Sequence, residues 1–197
     1  MKVKRMKVHP FLIKPIIEGT KTQIRKVVAP KRLTSKEQDQ VNPLANPKYK
    51  VGDVFWIPER WKHNPIPSGW PYFYYIDAEE YLSKKEDEIW NDPSTMKIEY
   101  ARLFIKVIEV RVERLHSIST EDAIAEGVKK TNSDWGIDEY EIYTAKYCWD
   151  ESPVQSFKSI WQLAKGMQSW ACNPWVYVLR FERIESPLNA NILISKK

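Results

Sequence analysis

At 197 residues, 43% of them hydrophobic and 13% aromatic, the chain has material for one domain (1–197) with a filled core and room for insertions. A net charge of +5 suits a nucleic-acid partner and ordinary cytosolic proteins equally, and nine tryptophans, an unusual number, serve either a core or a platform for bases. No run reaches membrane-spanning length, no signal-peptide core opens the chain, and Cys148 and Cys172 lack zinc-site spacing, so a cytoplasmic protein without metal or cofactor is expected.

In chain order, "MKVKRMKV" reads as an edge strand. "PIIEG" reads as one tight helical turn, with Pro15 at its first position and Gly19 in the left-handed conformation just past its end. "TKTQIRKVVAP" is extended, with Ile24, Val27 and Val28 partly buried and Lys21 and Arg25 exposed. Residues 30–50, carrying Pro30, Pro43 and Pro47, form a long loop insertion. "VGDVFWIPERW" holds a Gly-Asp turn and a strand from Val54 to about Pro58, with Trp56 in the core. Residues 62–97 form a second insertion that contains the charged helical piece "AEEYLSKKEDEIW".

The strand at 101–114, "ARLFIKVIEVRVER", changes apolar parity. Leu103, Ile105 and Val107 share one phase, and Ile108, Val110 and Val112 the other, which predicts a bulge or sharp bend. Ser119 caps the short helix "TEDAIAE", which Gly127 terminates. Residues 129–151 are a third insertion, acidic and Tyr-rich. The clearest helix is "SPVQSFKSIWQLAKG", with Ser152 as cap, Pro153 at the first position and Gly166 at the end. Its apolar stripe is Val154, Phe157, Ile160, Trp161 and Ala164. In the closing strand "NPWVYVLRFERI", Trp175, Tyr177, Leu179 and Phe181 share a face, and Asn173-Pro174 makes the turn before it. Bent strands with short helices between them predict an α+β fold, a small mixed β-barrel decorated by helices.

The runs "EGTKTQIRK", "GDVFWIPERW", "ARLFIKVIEVRVERLHSISTEDAIAEGV" and "WACNPWVYVLRFERI" occur in that order, and together they resemble the ASCH domain, a PUA-like β-barrel family. The versions carried by bacteriophages and prophages look most similar. The resemblance implies an RNA-binding or RNA-processing module related to domains that grip modified bases. One branch of the family hydrolyses N4-acetylcytidine with a lysine, a threonine and a glutamate. Those positions fall on Lys21, residue 24 and Glu126, and residue 24 here is Ile24.

Residue chemistry gives each candidate a working and a structural alternative. Lys21 is either a solvated turn lysine or a cation beside a phosphate or carbonyl, with the option of accepting a proton. Arg25 can fork onto a phosphate, a base edge or a carboxylate, Glu126 included. Glu126 sits where the helix dipole disfavours an anion by about 0.3–1 kcal/mol, so either a cation compensates or the carboxylate is kept for work. Thr22 shares the phase of position 24 and is a substitute nucleophile, with Thr20 close by. Glu59 and Trp61 line a pocket mouth or cap a strand end, and Arg102 holds a phosphate or a salt bridge. His9, His63 and His116 have no partner spacing and read as structural.

The leading expectation is a monomer that binds RNA, another single-stranded nucleic acid or a modified nucleoside, with Lys21, Arg25, Glu59, Trp61 and Arg102 on the ligand. An amidohydrolase on N4-acylated cytidine, or a ribonuclease using Lys21 and Glu126, is the enzymatic alternative. A phage accessory protein that meets a host protein through 62–97 or 129–151 is the third.

Overall fold

The computed structural model describes residues 2–28, 47–63, 72–75, 90–132 and 136–188. They fall into two compact units, each assembled from separate stretches of chain. Unit 1 comprises Met1–Ile17, Asp53–Lys106 and Glu182–Lys197, and unit 2 comprises Glu18–Gly52 and Val107–Phe181. The class is α+β, as expected.

In unit 1, β1 (Val3–Arg5) pairs in parallel with β3 (Val54–Trp56), which pairs antiparallel with the start of β6 (Phe104–Arg114). β1 lies at the end of its sheet, next to β3 alone, so the expected edge strand is present. A separate hairpin joins β4 (Trp61–His63) to β5 (Tyr72–Tyr74). Trp56, Trp61, Tyr74, Met96 and Phe104 form the aromatic core here. Helix α1 (Ile13–Glu18) ends at Gly19, whose φ of 78° is the left-handed conformation expected of it. Pro15 is its third residue rather than its first. The chain enters through a 3-10 turn, Pro10–Leu12, so Pro10 supplies the N-terminal proline.

In unit 2, β2 (Gln23–Val27) pairs antiparallel with β10 (Trp175–Ile184) in the register Arg25↔Val178 and Ile24↔Leu179. Helix α2 (Thr120–Ala125) is capped by Ser119, whose Oγ accepts from the Asp122 N–H at 3.1 Å, and it terminates at Gly127, φ 84°. Helix α3 (Pro153–Lys165) is capped by Ser152 and ends at Gly166. Its buried face is wider than the predicted stripe, because Ser156 and Ser159 join it. The Ser156 hydroxyl donates to the Glu141 carbonyl, and Ser159 Oγ accepts from the Tyr143 N–H, tying the helix to its neighbours. Those neighbours are the three-stranded sheet β7 (Lys130–Asn132), β8 (Asp138–Glu141) and β9 (Trp149–Asp150), built from the predicted 129–151 insertion.

β6 is a single uninterrupted strand of 11 residues. The change of apolar parity marks a change of surroundings. Phe104 and Ile105 are both buried, on opposite faces, whereas Ile108 is 41% exposed and Val110 and Val112 are half-buried. Residues 29–46, 64–71 and 76–89 lie outside the described residues, and with them most of the 30–50 insertion and of the charged helical piece. Asn173, φ 40°, makes the turn before β10, and its side chain accepts from the His116 N–H at 2.8 Å. Trp175 is only half-buried, with the Arg114 guanidinium stacked on it. Among the described residues no helix is long and apolar enough to cross a membrane, and no group of His, Cys, Asp or Glu could hold a metal ion.

Candidate functional site

Alternation along β2 and the residues before it puts Lys21, Gln23 and Arg25 on one face and Thr22 and Ile24 on the other. The sequence reading had Lys21 and Arg25 exposed. They are buried, Lys21 at 1% exposure, because the end of α2 lies against this stretch. The two meet through backbone: the Thr22 N–H donates to the Ala125 carbonyl at 2.9 Å, and Lys21 bridges Glu126. Polar side chains at those positions therefore face carboxylates instead of water.

Lys21 Nζ donates to Glu126 Oε2 at 2.7 Å and to the Glu126 carbonyl at 2.7 Å. Arg25 Nη1 donates to Glu126 Oε1 at 3.0 Å, and Nη2 donates to Glu113 at 2.7 Å and to Asp122 at 2.8 Å. Lys21, Arg25 and Glu126 thus come together. A cation does compensate the helix-end glutamate, and the same ammonium satisfies a carbonyl at the end of α2. Arg111 buttresses the far side, bonding to Glu113 and Asp122. The sequence reading gave no site role to Arg111, Glu113 or Asp122; the alternating charges of "EVRVER" were the one signal for the first two.

The electrostatics follow from burial. Desolvation pulls the Lys21 ammonium below its ordinary value; Glu126 opposes this in part, and Arg25 adds to it. Burial pushes the Asp122 carboxyl up, but hydrogen bonds from Arg111 and Arg25 outweigh it and hold the group below the usual carboxylate range. Such a network gives little net stability against an apolar core of equal volume, because desolvating the charges offsets most of their attraction.

Ile24 is 5% exposed and pairs across the sheet with Leu179, on the face opposite the ion network. Thr22 is exposed and shares that opposite phase, so the substitute nucleophile is not brought to Lys21 and Glu126. Ile24→Thr is therefore expected to bury a hydroxyl in apolar surroundings at a cost of about 1–3 kcal/mol. It should gain no hydrolysis of N4-acetylcytidine. Urea unfolding and chromatography of the nucleoside check the two parts separately.

Glu59, Trp61 and Arg102 all lie in unit 1. Glu59 is buried and accepts from Arg102 Nε at 3.1 Å and from Nη2 at 2.9 Å, along one edge of the guanidinium, while Arg102 lies 3.9 Å over the Tyr74 ring. The salt-bridge alternative for Arg102 is the one seen. Trp61 is 6% exposed and belongs to the aromatic core, with its Nε1 donating to Thr95 Oγ1 at 3.3 Å. Its ring packs in that core with Tyr74, its neighbour across the β4–β5 pair. Glu59 does border a hollow, shared with Pro10, Pro58, Arg60, Tyr75 and Pro93. Arg102→Ala would strand Glu59 without its forked partner, and a loss of about 2–3 kcal/mol in urea unfolding is expected, with Arg102→Lys losing less.

No family model matches the chain, and no curated protein matches it. Among solved structures, protein EF3133 from Enterococcus faecalis V583, assigned to the family DUF984, is similar with a TM-score of 0.43. The identity is 10%, over 89% of this chain and 68% of that one. The hypothetical protein PH0355 is similar with a TM-score of 0.39 and 14% identity, over 93% of this chain and 100% of that one.

Proposed function

We propose that the protein is an ASCH-type, PUA-like module that binds a nucleic-acid strand, RNA foremost, or a modified nucleoside, at the junction of β2 and the end of α2. The observation that carries this reading is the contact of Glu126 with Lys21 and Arg25, residues 105 and 101 positions away in the chain. These are the positions the family resemblance singles out. Buried charges with perturbed protonation concentrate at working sites, which favours a role beyond stability.

The hydrogen-bonding capacity left over suits a base edge. An ammonium has three donors, and Lys21 uses two of them on Glu126. A carboxylate accepts at about four lone-pair positions, and Glu126 uses two, for Lys21 and Arg25. One donor beside free acceptor positions matches a ring carbonyl next to an exocyclic amine. The covering side chains have to move to admit a base, so association slower than a simple docking encounter is expected.

Binding is favoured over hydrolysis because amide cleavage needs a nucleophile. Ile24 faces away, and Thr22 shares its phase. The test is titration of labelled single-stranded RNA, single-stranded DNA and free nucleosides, at roughly 50 and 200 mM salt. Strand affinity should fall steeply with salt, and Glu126→Gln should weaken nucleoside binding while the fold persists. Turnover of N4-acetylcytidine by the wild type would overturn the binding reading in favour of an amidohydrolase. Absence of any nucleoside or strand binding would overturn it altogether.

A further inference from the structure

Gln23 stands on the same face of β2 as Lys21 and Arg25, between the two residues that hold Glu126. It is 2% exposed, yet its side-chain Nε2 has no hydrogen-bond partner among the described residues. The other end of the amide is engaged. Gln23 Oε1 accepts from Arg111 Nη1 at 3.4 Å, and a guanidinium can only donate, so the nitrogen is the end left over. Arg25 Nε, two residues on, is likewise buried with no partner among the described residues. A buried donor without an acceptor costs free energy, so this face of β2 is short of an acceptor.

The surrounding charges decide what kind of acceptor fits. Lys21, Arg25 and Arg111 face Glu113, Asp122 and Glu126, three cations against three carboxylates. Glu109, which also bonds to Arg111, is half-exposed and reaches Arg180 as well. An anion would bring an uncompensated charge into a balanced, buried network; a neutral oxygen would not. A carbonyl oxygen has two lone pairs where a ring nitrogen has one, so it can take the third donor of Lys21 and the amide of Gln23 together. We infer that Gln23 selects the ligand: its side-chain N–H donates to an oxo group of the bound base, the same oxygen that Lys21 reaches. This rests on the proposed base site and names the side chain that enforces its preference for a carbonyl. Cytosine and guanine carry both an oxo group and an exocyclic amine for Glu126, whereas adenine has no oxo group.

The experiment titrates cytidine against 2-thiocytidine, and guanosine against 6-thioguanosine, into the wild type and Gln23→Met, a variant of similar length with no donor. Sulfur accepts hydrogen bonds weakly. The wild type should therefore bind the preferred oxo nucleoside about tenfold more tightly than its thio analogue, the scale of one hydrogen bond. In Gln23→Met that ratio should shrink to about twofold, the part owed to Lys21. Urea unfolding of the variant should give a midpoint no lower than that of the wild type, because the change removes an unsatisfied donor and Arg111 Nη1 keeps Glu109. A wild type that binds oxo and thio nucleosides alike, or a variant that keeps the wild-type ratio, would overturn the role of Gln23. Nucleoside binding that Glu126→Gln still weakens would then leave the proposed function standing. A clearly lower midpoint would show that the amide has a partner inside the protein, and would overturn the inference too. If none of the nucleosides binds, the inference fails with them, and strand titration decides separately whether the proposed function does.

Discussion

Glu126→Ala is expected to destabilise the protein by about 3–5 kcal/mol, the range for removing one partner of a buried charged network. Lys21, whose side chain has no solvent exposure, would keep only the carbonyl of residue 126. Arg25 would retain Glu113 and Asp122, so most of the loss falls on the lysine. Urea unfolding near neutral pH, followed by far-ultraviolet circular dichroism, measures it. Replacing both Lys21 and Glu126 by apolar residues, Met and Leu, should cost less than the sum of the single changes. A coupling of at least about 2 kcal/mol is expected, because each single change leaves a buried group without its partner. If Glu126→Ala lost under about 1 kcal/mol, the charges would not be held out of water as described.

Stability should rise, not fall, as the pH is raised from about 7.5 to 10. Burial, with Lys165, Lys21 and Lys48 adding to it, lowers Lys26 from 10.5 to about 8. Between those values the unfolded chain keeps the proton and the folded chain gives it up. The unfolded state then binds more protons, and the free energy of unfolding increases with pH. Lys26 alone contributes about 2 kcal/mol over this interval, and Lys21 is shifted in the same direction. The gain has a ceiling. Burial pushes the Tyr143 phenol up from 10.0 to about 12, so above pH 10 the unfolded chain ionises first and stability is lost again. Urea midpoints across the range should peak near pH 10, and Lys26→Gln should flatten the climb. A wild type whose midpoint stays level would show that Lys26 keeps its proton when folded.

Local chemistry was legible in the sequence. Ser119, Ser152, Gly127 and Gly166 announce helix ends because a cap or a positive φ depends on a few neighbouring residues. The pairing of Glu126 with a cation could be argued from its place at a helix end. What alternation cannot reveal is the environment of a face. "KTQIR" has one polar phase, and polarity suggested water, whereas the partners arrive from around residues 109–126. The burial of Trp61 was hidden for the same reason, because it depends on Tyr74 across the β4–β5 pair and on Phe104 from β6. The phase change in β6 coincides with a change in what covers each side. β7 to β9 escaped notice as strands since elements of two to four residues carry almost no period.

Each unit is completed by its last segment of chain. In unit 1 the Arg183 guanidinium bonds to the Ile17 carbonyl, a separation of 166 residues; in unit 2 β10 supplies the partner of β2 across about as much chain. During synthesis, β2 therefore emerges long before β10, with which it pairs, and unit 2 cannot close until β10 leaves the ribosome. Such high contact order makes for slow folding and a long interval of exposed strand edges and apolar side chains. A nascent chain stalled before Trp175 would hold unit 2 open, with Leu179 and its neighbours missing from the apolar face of Ile24. The protein's yield in a cell should then depend on how quickly translation reaches β10 and on chaperones that shield the chain until it does.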